Sequence, residues 1–150
     1  MDNENEKNNT FFRFEDLRIY HKALNYAHWV NDTSMLRSNE QHKGLVERFN
    51  QSSHNIVLNI AEGSARNKSQ FIYYLKMAKS AVRECLVFTS ICYKLNIFDD
   101  QEEDESRNQL MEMTKMIGAL ISSLQRNNNN NNRREEESGN YDHNDNQPID

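Results

Sequence analysis

Asn59-Ile60-Ala61-Glu62-Gly63-Ser64-Ala65-Arg66 is the stretch on which the fold turns. It joins an apolar helix face, an Asn in a buried-looking position, a carboxylate at a helix end, and a Gly followed by Arg. Upstream, Leu45, Phe49, Ser52, Ile56 and Ile60 recur at helical spacing, so the stretch reads as the end of an amphipathic helix two. Ser52 and Ser53 are small enough to let a neighbouring helix approach at its middle. Gly63 is expected to take the left-handed conformation that closes a helix. Glu62 in a last turn opposes the helix dipole, and Arg66 is a ready partner for it. Asn59 is expected to bond a backbone group or a facing helix. Together Asn59, Glu62, Gly63 and Arg66 read as a structural corner between helices two and three.

Downstream, residues 69–95 show the cleanest period in the chain. Phe71, Leu75, Ala78, Val82, Cys85, Thr89 and Cys92 alternate steps of four and three, and a second row of Tyr74, Ala81, Phe88 and Leu95 widens the face. Helix one, residues 16–31, carries Leu17, Tyr20, Leu24, Ala27 and Val30 on one side. Asp32-Thr33-Ser34 and Arg37-Ser38-Asn39 interrupt that pattern, and Ser38 with Gln41 has the spacing of a capping box that would start helix two. Asn96 and Asp99-Asp100 make the next break, with Asp100 and Glu103 as another capping pair. Helix four then runs to about Gln125 on Leu110, Met113, Ile117, Leu120 and Leu124, with Met111, Met116 and Ile121 beside them. Gly118 offers close approach at a small cost in helix propensity.

One proline and four glycines in 150 residues disfavour a fold of many short strands. Four helices of similar length with short links predict an all-α fold, an up-down-up-down antiparallel four-helix bundle over residues 14–126. Residues 1–13 are expected to be a flexible tail. Residues 127–150, which open on six Asn, cannot offset their ordering entropy by burial and are expected to be a disordered, acidic tail. Charge divides the same way. Residues 11–126 carry fifteen basic and fourteen acidic side chains, a net of +1, whereas residues 1–10 and 127–150 carry −2 and −4 of the overall −5. The acidity therefore belongs to the tails and does not exclude a nucleic-acid surface on the folded part.

Recognisable catalytic apparatus is missing from the sequence. No Glu-x-x-His pair of the kind that holds di-iron centres in bundles occurs, and His21, His28, His42 and His54 are scattered. Cys85 and Cys92 lie about 10 Å apart along one helix, too far to bridge, and on its inward row, where free thiols pack as small hydrophobes. Glycine-rich phosphate loops and nucleophile elbows are absent. The expectation is a protein that is not an enzyme, with no cofactor, no metal and no small-molecule substrate. The first ten residues are polar and acidic, and no apolar run approaches a membrane span, so a cytoplasmic location without membrane association is expected.

The remaining chemical signal is cationic. Lys68, Lys76, Lys79, Arg83 and Lys94 fall on one flank of helix three at 100° per residue, and Arg66 precedes them; Glu84 is the one acid between Ser64 and Lys94. Such a flank can track phosphates, each contact releasing counterions. The competing reading is an ordinary solvated flank paired with acids of helix four.

These groups also carry a resemblance. Phe14-Glu15-Asp16-Leu17 with Tyr20, Lys22 and Ala23, then Gln51, Ile56 and residues 59–66, then Phe71, Leu75, Ala78, Ser80 and Glu84, resemble in order and spacing the four-helix-bundle proteins encoded by intervening sequences in bacterial 23S rRNA genes. The resemblance spans about residues 14–125. Asn55 stands where that family usually has Ser, and Lys79 where it often has Gly. The resemblance implies a closed ring of five bundles without enzymatic activity. It also implies kinship with the accessory proteins of diversity-generating retroelements, in which the ring binds reverse transcriptase and nucleic acid. The expected function is thus a homo-oligomeric, pentameric scaffold associated with RNA or DNA. The alternative is a protein-binding adaptor or toxin-antitoxin-like partner with no direct nucleic-acid contact.

Overall fold

The links between the helices are too short to let consecutive helices run parallel, and this sets the topology. The computed structural model describes residues 11–37 and 39–139. Among them a 3-10 turn (Arg13–Asp16) leads into α1 (Arg18–Arg37), and a second 3-10 turn (Glu40–His42) leads into α2 (Lys43–Ser64). The helices α3 (Lys68–Lys94) and α4 (Asp100–Gly139) follow. Only residues 65–67 and 95–99 separate the last three helices, so each reverses direction. Helix α1 packs on α2, α2 on α3, α3 on α4, and α4 returns to α1. The product is an up-down-up-down four-helix bundle, with no strand among the described residues.

Its core is the intersection of four apolar stripes. Tyr26 and Val30 of α1, Phe49, Ile56 and Ile60 of α2, Leu75, Cys85 and Cys92 of α3, and Met113 and Ile117 of α4 are all fully buried. Each such side chain contributes about 1.5–3 kcal/mol by leaving water. The α3–α4 link seals one end. Asn96, at φ 59, makes the left-handed step, and the Ile97 and Phe98 amides both donate to the Cys92 carbonyl. Phe98 then lies against Trp29 and Phe49, with ring centroids 5.6 and 5.9 Å away.

A chain of buried hydroxyls crosses this core. Tyr26 Oη and Ser106 Oγ are 2.8 Å apart, Ser106 Oγ and Thr89 Oγ1 are 2.7 Å apart, and Thr89 donates to the Cys85 carbonyl at 2.8 Å. The chain ties α1, α3 and α4 together where an unpaired hydroxyl would cost about 1–3 kcal/mol.

Several local expectations need correction. Helix one does not break at Asp32-Thr33-Ser34 but continues to Arg37. Asp32 pairs with His28 one turn back, and buried Ser34 donates to the Val30 carbonyl, so neither residue competes with the helix. Ser38 lies outside the described residues, and α2 opens through the Glu40–His42 turn with no side-chain cap at His42. The capping pair of α4 is Asp99 with Glu102, not Asp100 with Glu103. The Glu102 amide donates to Asp99 Oδ1 at 2.8 Å, and the Asp99 amide donates to Glu102 Oε1 at 3.0 Å. Leu24 and Leu95, assigned to apolar rows, are exposed. Gly118 has no neighbour within 4 Å of a built Cβ, so it mediates no close approach.

Helix α4 does not stop near Gln125 but runs to Gly139. Propagating an existing helix adds one hydrogen bond per residue fixed, without the cost of nucleation. Every described side chain from 127 to 136 is exposed, so none of these packs against the core. The remainder of the expected C-terminal tail, residues 140–150, and residues 1–10 of the expected N-terminal tail lie outside the described residues.

Candidate nucleic-acid interface

Helix α3 is aimed by the corner that precedes it. Gly63 is buried and helical, with no positive φ, so it does not close α2 by a left-handed turn. Its lack of a side chain serves packing instead: a Cβ there would stand 2.6 Å from Tyr74 Cβ and 2.9 Å from Phe71 Cδ2. Arg66 Nη2 and Nε donate to Glu62 Oε1 at 2.6 and 3.2 Å, and its guanidinium lies 5.7 Å from the Tyr74 ring centroid. The hydrogen bond to Glu62 holds the Arg66 pKa above its ordinary value. Asn59 donates to the Asn55 carbonyl at 2.7 Å, within its own helix. Asn67 caps α3 by accepting from the Gln70 amide at 3.0 Å.

Beyond the corner, Lys68, Lys76, Arg83 and Lys94 are exposed and Lys79 is half-buried. None of the five forms an ion pair with a described residue. Three acids of α4 are engaged elsewhere: Glu112 with Lys22, Glu102 with Arg37 at 3.1 Å, and Glu103 with Arg107 at 2.9 Å. Lys76, Lys79 and Arg83 are spaced by three and four on one helix face. Like charges so placed destabilise a helix by about 0.2–0.5 kcal/mol per pair. Five of the six cationic residues thus lie along one flank of α3, spread over about 39 Å at 1.5 Å per residue, and Arg66 stands apart, already occupied by Glu62 and Tyr74.

Sequence reasoning missed two neighbours of this flank. Arg107 reaches across from α4, and its Nη2 donates to Ser90 Oγ at 3.0 Å in the α3–α4 groove that Lys94 also lines. Its i,i+4 spacing from Glu103 is that of an ordinary solvated pair, so nothing in the sequence marks it. Along the outer ridge of α3, Tyr73, Met77, Val87 and Ile91 are 58, 43, 58 and 36% exposed. They lie off the heptad rows, so periodicity had assigned them to no surface.

Among the described residues, no three His, Cys, Asp or Glu side chains are grouped to hold a metal ion, and no helix is long and apolar enough to cross a membrane. Burial raises both thiols, Cys92 to about 11 and Cys85 further, which keeps them protonated and unreactive near neutrality.

Residues 15–119, the bundle without the distal part of α4, match the family model described as 23S rRNA-intervening sequence protein. The chain belongs to that family. The family fold is also seen in a crystal structure of a protein with unknown function from the S23 ribosomal protein family of Bacteroides thetaiotaomicron VPI-5482. That structure superposes with a TM-score of 0.65 at 19% sequence identity, over 69% of this chain and 95% of the other. At that identity the likeness shows the fold alone. No curated protein matches the chain significantly. The family match covers the corner and the whole of α3, so the cationic flank lies inside the family domain.

Proposed function

We propose that this protein is a non-catalytic, homo-oligomeric scaffold, a pentameric ring of bundles, that binds RNA alone or within a reverse transcriptase complex through the cationic flank of α3. The observation that carries the reading is the set Lys68, Lys76, Lys79, Arg83 and Lys94, left without acidic partners although acidic residues line α4. Phosphates are the anions such a row fits, because binding them releases condensed counterions. The name of the family makes RNA the first nucleic acid to test. Assembly is supported by the apolar ridge of Tyr73, Met77, Val87 and Ile91 beside the flank. Asn59, Glu62, Gly63 and Arg66 act in this reading as the corner that orients α3.

Two measurements test it. Light scattering at micromolar concentration should give an oligomer, and a clean monomer there overturns the assembly. Filter binding of single-stranded RNA over a salt series should show a steep decline. Combining Lys76→Ala, Lys79→Ala and Arg83→Ala should lower the log–log slope by about 2, at roughly 0.7 for each phosphate no longer neutralised. An unchanged slope and equal retention by the variant remove this flank from the account and leave the protein-binding adaptor as the better reading.

A further inference from the structure

On the far side of the α3 ridge, between α2 and α3, lies a cleft of about 450 Å³ lined by several polar groups that the fold leaves without hydrogen-bond partners among the described residues. Its floor is a stack of planar groups. Phe49, fully buried, lies 5.6 Å from Phe88 at an interplanar angle of 17°, and the Arg48 guanidinium sits over Phe88 at 5.6 Å. Arg48 has no ion-pair partner among the described residues, although Glu84 lines the same cleft. Glu84 is held in place instead by buried Ser52, whose Oγ donates to its Oε2 at 2.9 Å. The carboxamides of Gln51 and Asn55, one turn apart on α2, line the wall, and neither makes a side-chain hydrogen bond among the described residues.

This is a cationic plane backed by aromatic rings, beside an anchored carboxylate and two uncommitted amides. A free phosphate is disfavoured by Glu84, and a purely apolar peptide would leave Arg48, Glu84 and the two amides of the lining without partners. A planar heterocycle with N–H donors on one edge matches every group. Nucleobases freed from stacking are held in this manner, on guanidinium or aromatic planes with their edges hydrogen-bonded. Guanine presents two adjacent N–H groups to a carboxylate, whereas uracil presents one. Val87 lines both this cleft and the α3–α4 groove that holds Lys94 and Arg107, so one side chain separates the cleft from the cationic side of α3.

We propose that the α2–α3 cleft binds one unstacked base of a single-stranded nucleic acid, guanine by preference, with Arg48 as the stacking plane and Glu84 accepting from the base edge. The proposal rests on the nucleic-acid reading above and adds base selection to it. The test is fluorescence anisotropy with a labelled twelve-nucleotide oligouridine and the same strand carrying one central guanosine. The full chain is expected to bind the guanosine strand roughly 5-fold or more tightly, the discrimination of one well-made base contact. Glu84→Gln should bring that ratio, measured for both strands on the same variant, close to one. Arg48→Ala, at an exposed position that threatens folding little, should also reduce the ratio. The Lys76, Lys79, Arg83 triple Ala variant should weaken both strands equally and preserve it. Equal, salt-sensitive binding of both strands by the wild type overturns the base site alone, as does a ratio that survives both cleft substitutions. Failure to bind either strand overturns the nucleic-acid reading and the base site with it.

Discussion

Two helical glycines, Gly63 on α2 and Gly118 on α4, have different surroundings, and the difference is measurable. At Gly63 a methyl group would meet Tyr74 Cβ at 2.6 Å, an atom fixed to the α3 backbone that cannot swing aside. Gly63→Ala therefore forces α2 and α3 apart at their corner. The overpacking costs about 1–3 kcal/mol, against roughly 1 kcal/mol gained in helix propensity, so a net loss of up to about 2 kcal/mol is expected in urea denaturation. At Gly118 nothing lies within 4 Å, so Gly118→Ala collects only the propensity gain and should stabilise by about 0.5–1 kcal/mol. A Gly63→Ala variant more stable than the wild type would show that the corner is looser than its packing indicates. From sequence Gly63 read as a helix stop and Gly118 as a contact point. What each glycine does depends on which neighbour faces it, and periodicity carries no record of that.

The seam where α1, α3 and α4 meet concentrates groups that resist ionisation. Burial raises Cys92 from 9.0 to about 11, raises Cys85 further, and raises Tyr26 beyond that of an exposed phenol. Because the folded state holds these protons more tightly than the unfolded chain, their contribution to stability is complete below about pH 9. It is lost as pH rises through about 11, when the unfolded state gains by ionising first. The urea midpoint is therefore expected to fall steadily between pH 9 and 11. Thiol reagents should react slowly with the native protein across that range and fast with the unfolded one. Rapid reaction of either cysteine at pH 8 would contradict the burial. The inward position of both thiols was legible, because seven residues of α3 kept one heptad row and all but half-buried Phe71 are buried. Helix ends were not. Asp99 and Asp100 offer two adjacent capping pairs with identical spacing, and the Phe98 anchor, a tertiary contact, selects the first. Asp32-Thr33-Ser34 carried the composition of a break, yet Ser34 is satisfied by the Val30 carbonyl and by the Asn50 amide of α2 at 3.1 Å, so packing overrode propensity.

For the whole molecule, charge and stability come from different parts of the chain. Residues 11–126 carry a net of +1, while residues 127–150 carry −4 and the described part of that segment buries no side chain. Ending the chain after Arg126 therefore removes acidity without removing core. The thermal midpoint should stay where it is, with stability changed by no more than about 0.5 kcal/mol. RNA binding should respond differently. The extension projects roughly 20 Å past the bundle at 1.5 Å per residue, from the end of α4 that lies beside the start of α3. Attached at that end, the net −4 of residues 127–150 is expected to oppose an approaching phosphate chain near Lys68. At about 0.05 M salt the truncated protein is expected to bind single-stranded RNA several-fold more tightly than the full chain, and the two curves should converge as salt approaches about 0.5 M and screening shortens the range of the repulsion. Convergence separates this electrostatic role from direct contact, since a tail that touched RNA would weaken binding when removed, at every salt concentration. Identical binding by the two chains at low salt would mean that the acidic segment lies beyond the reach of the α3 flank.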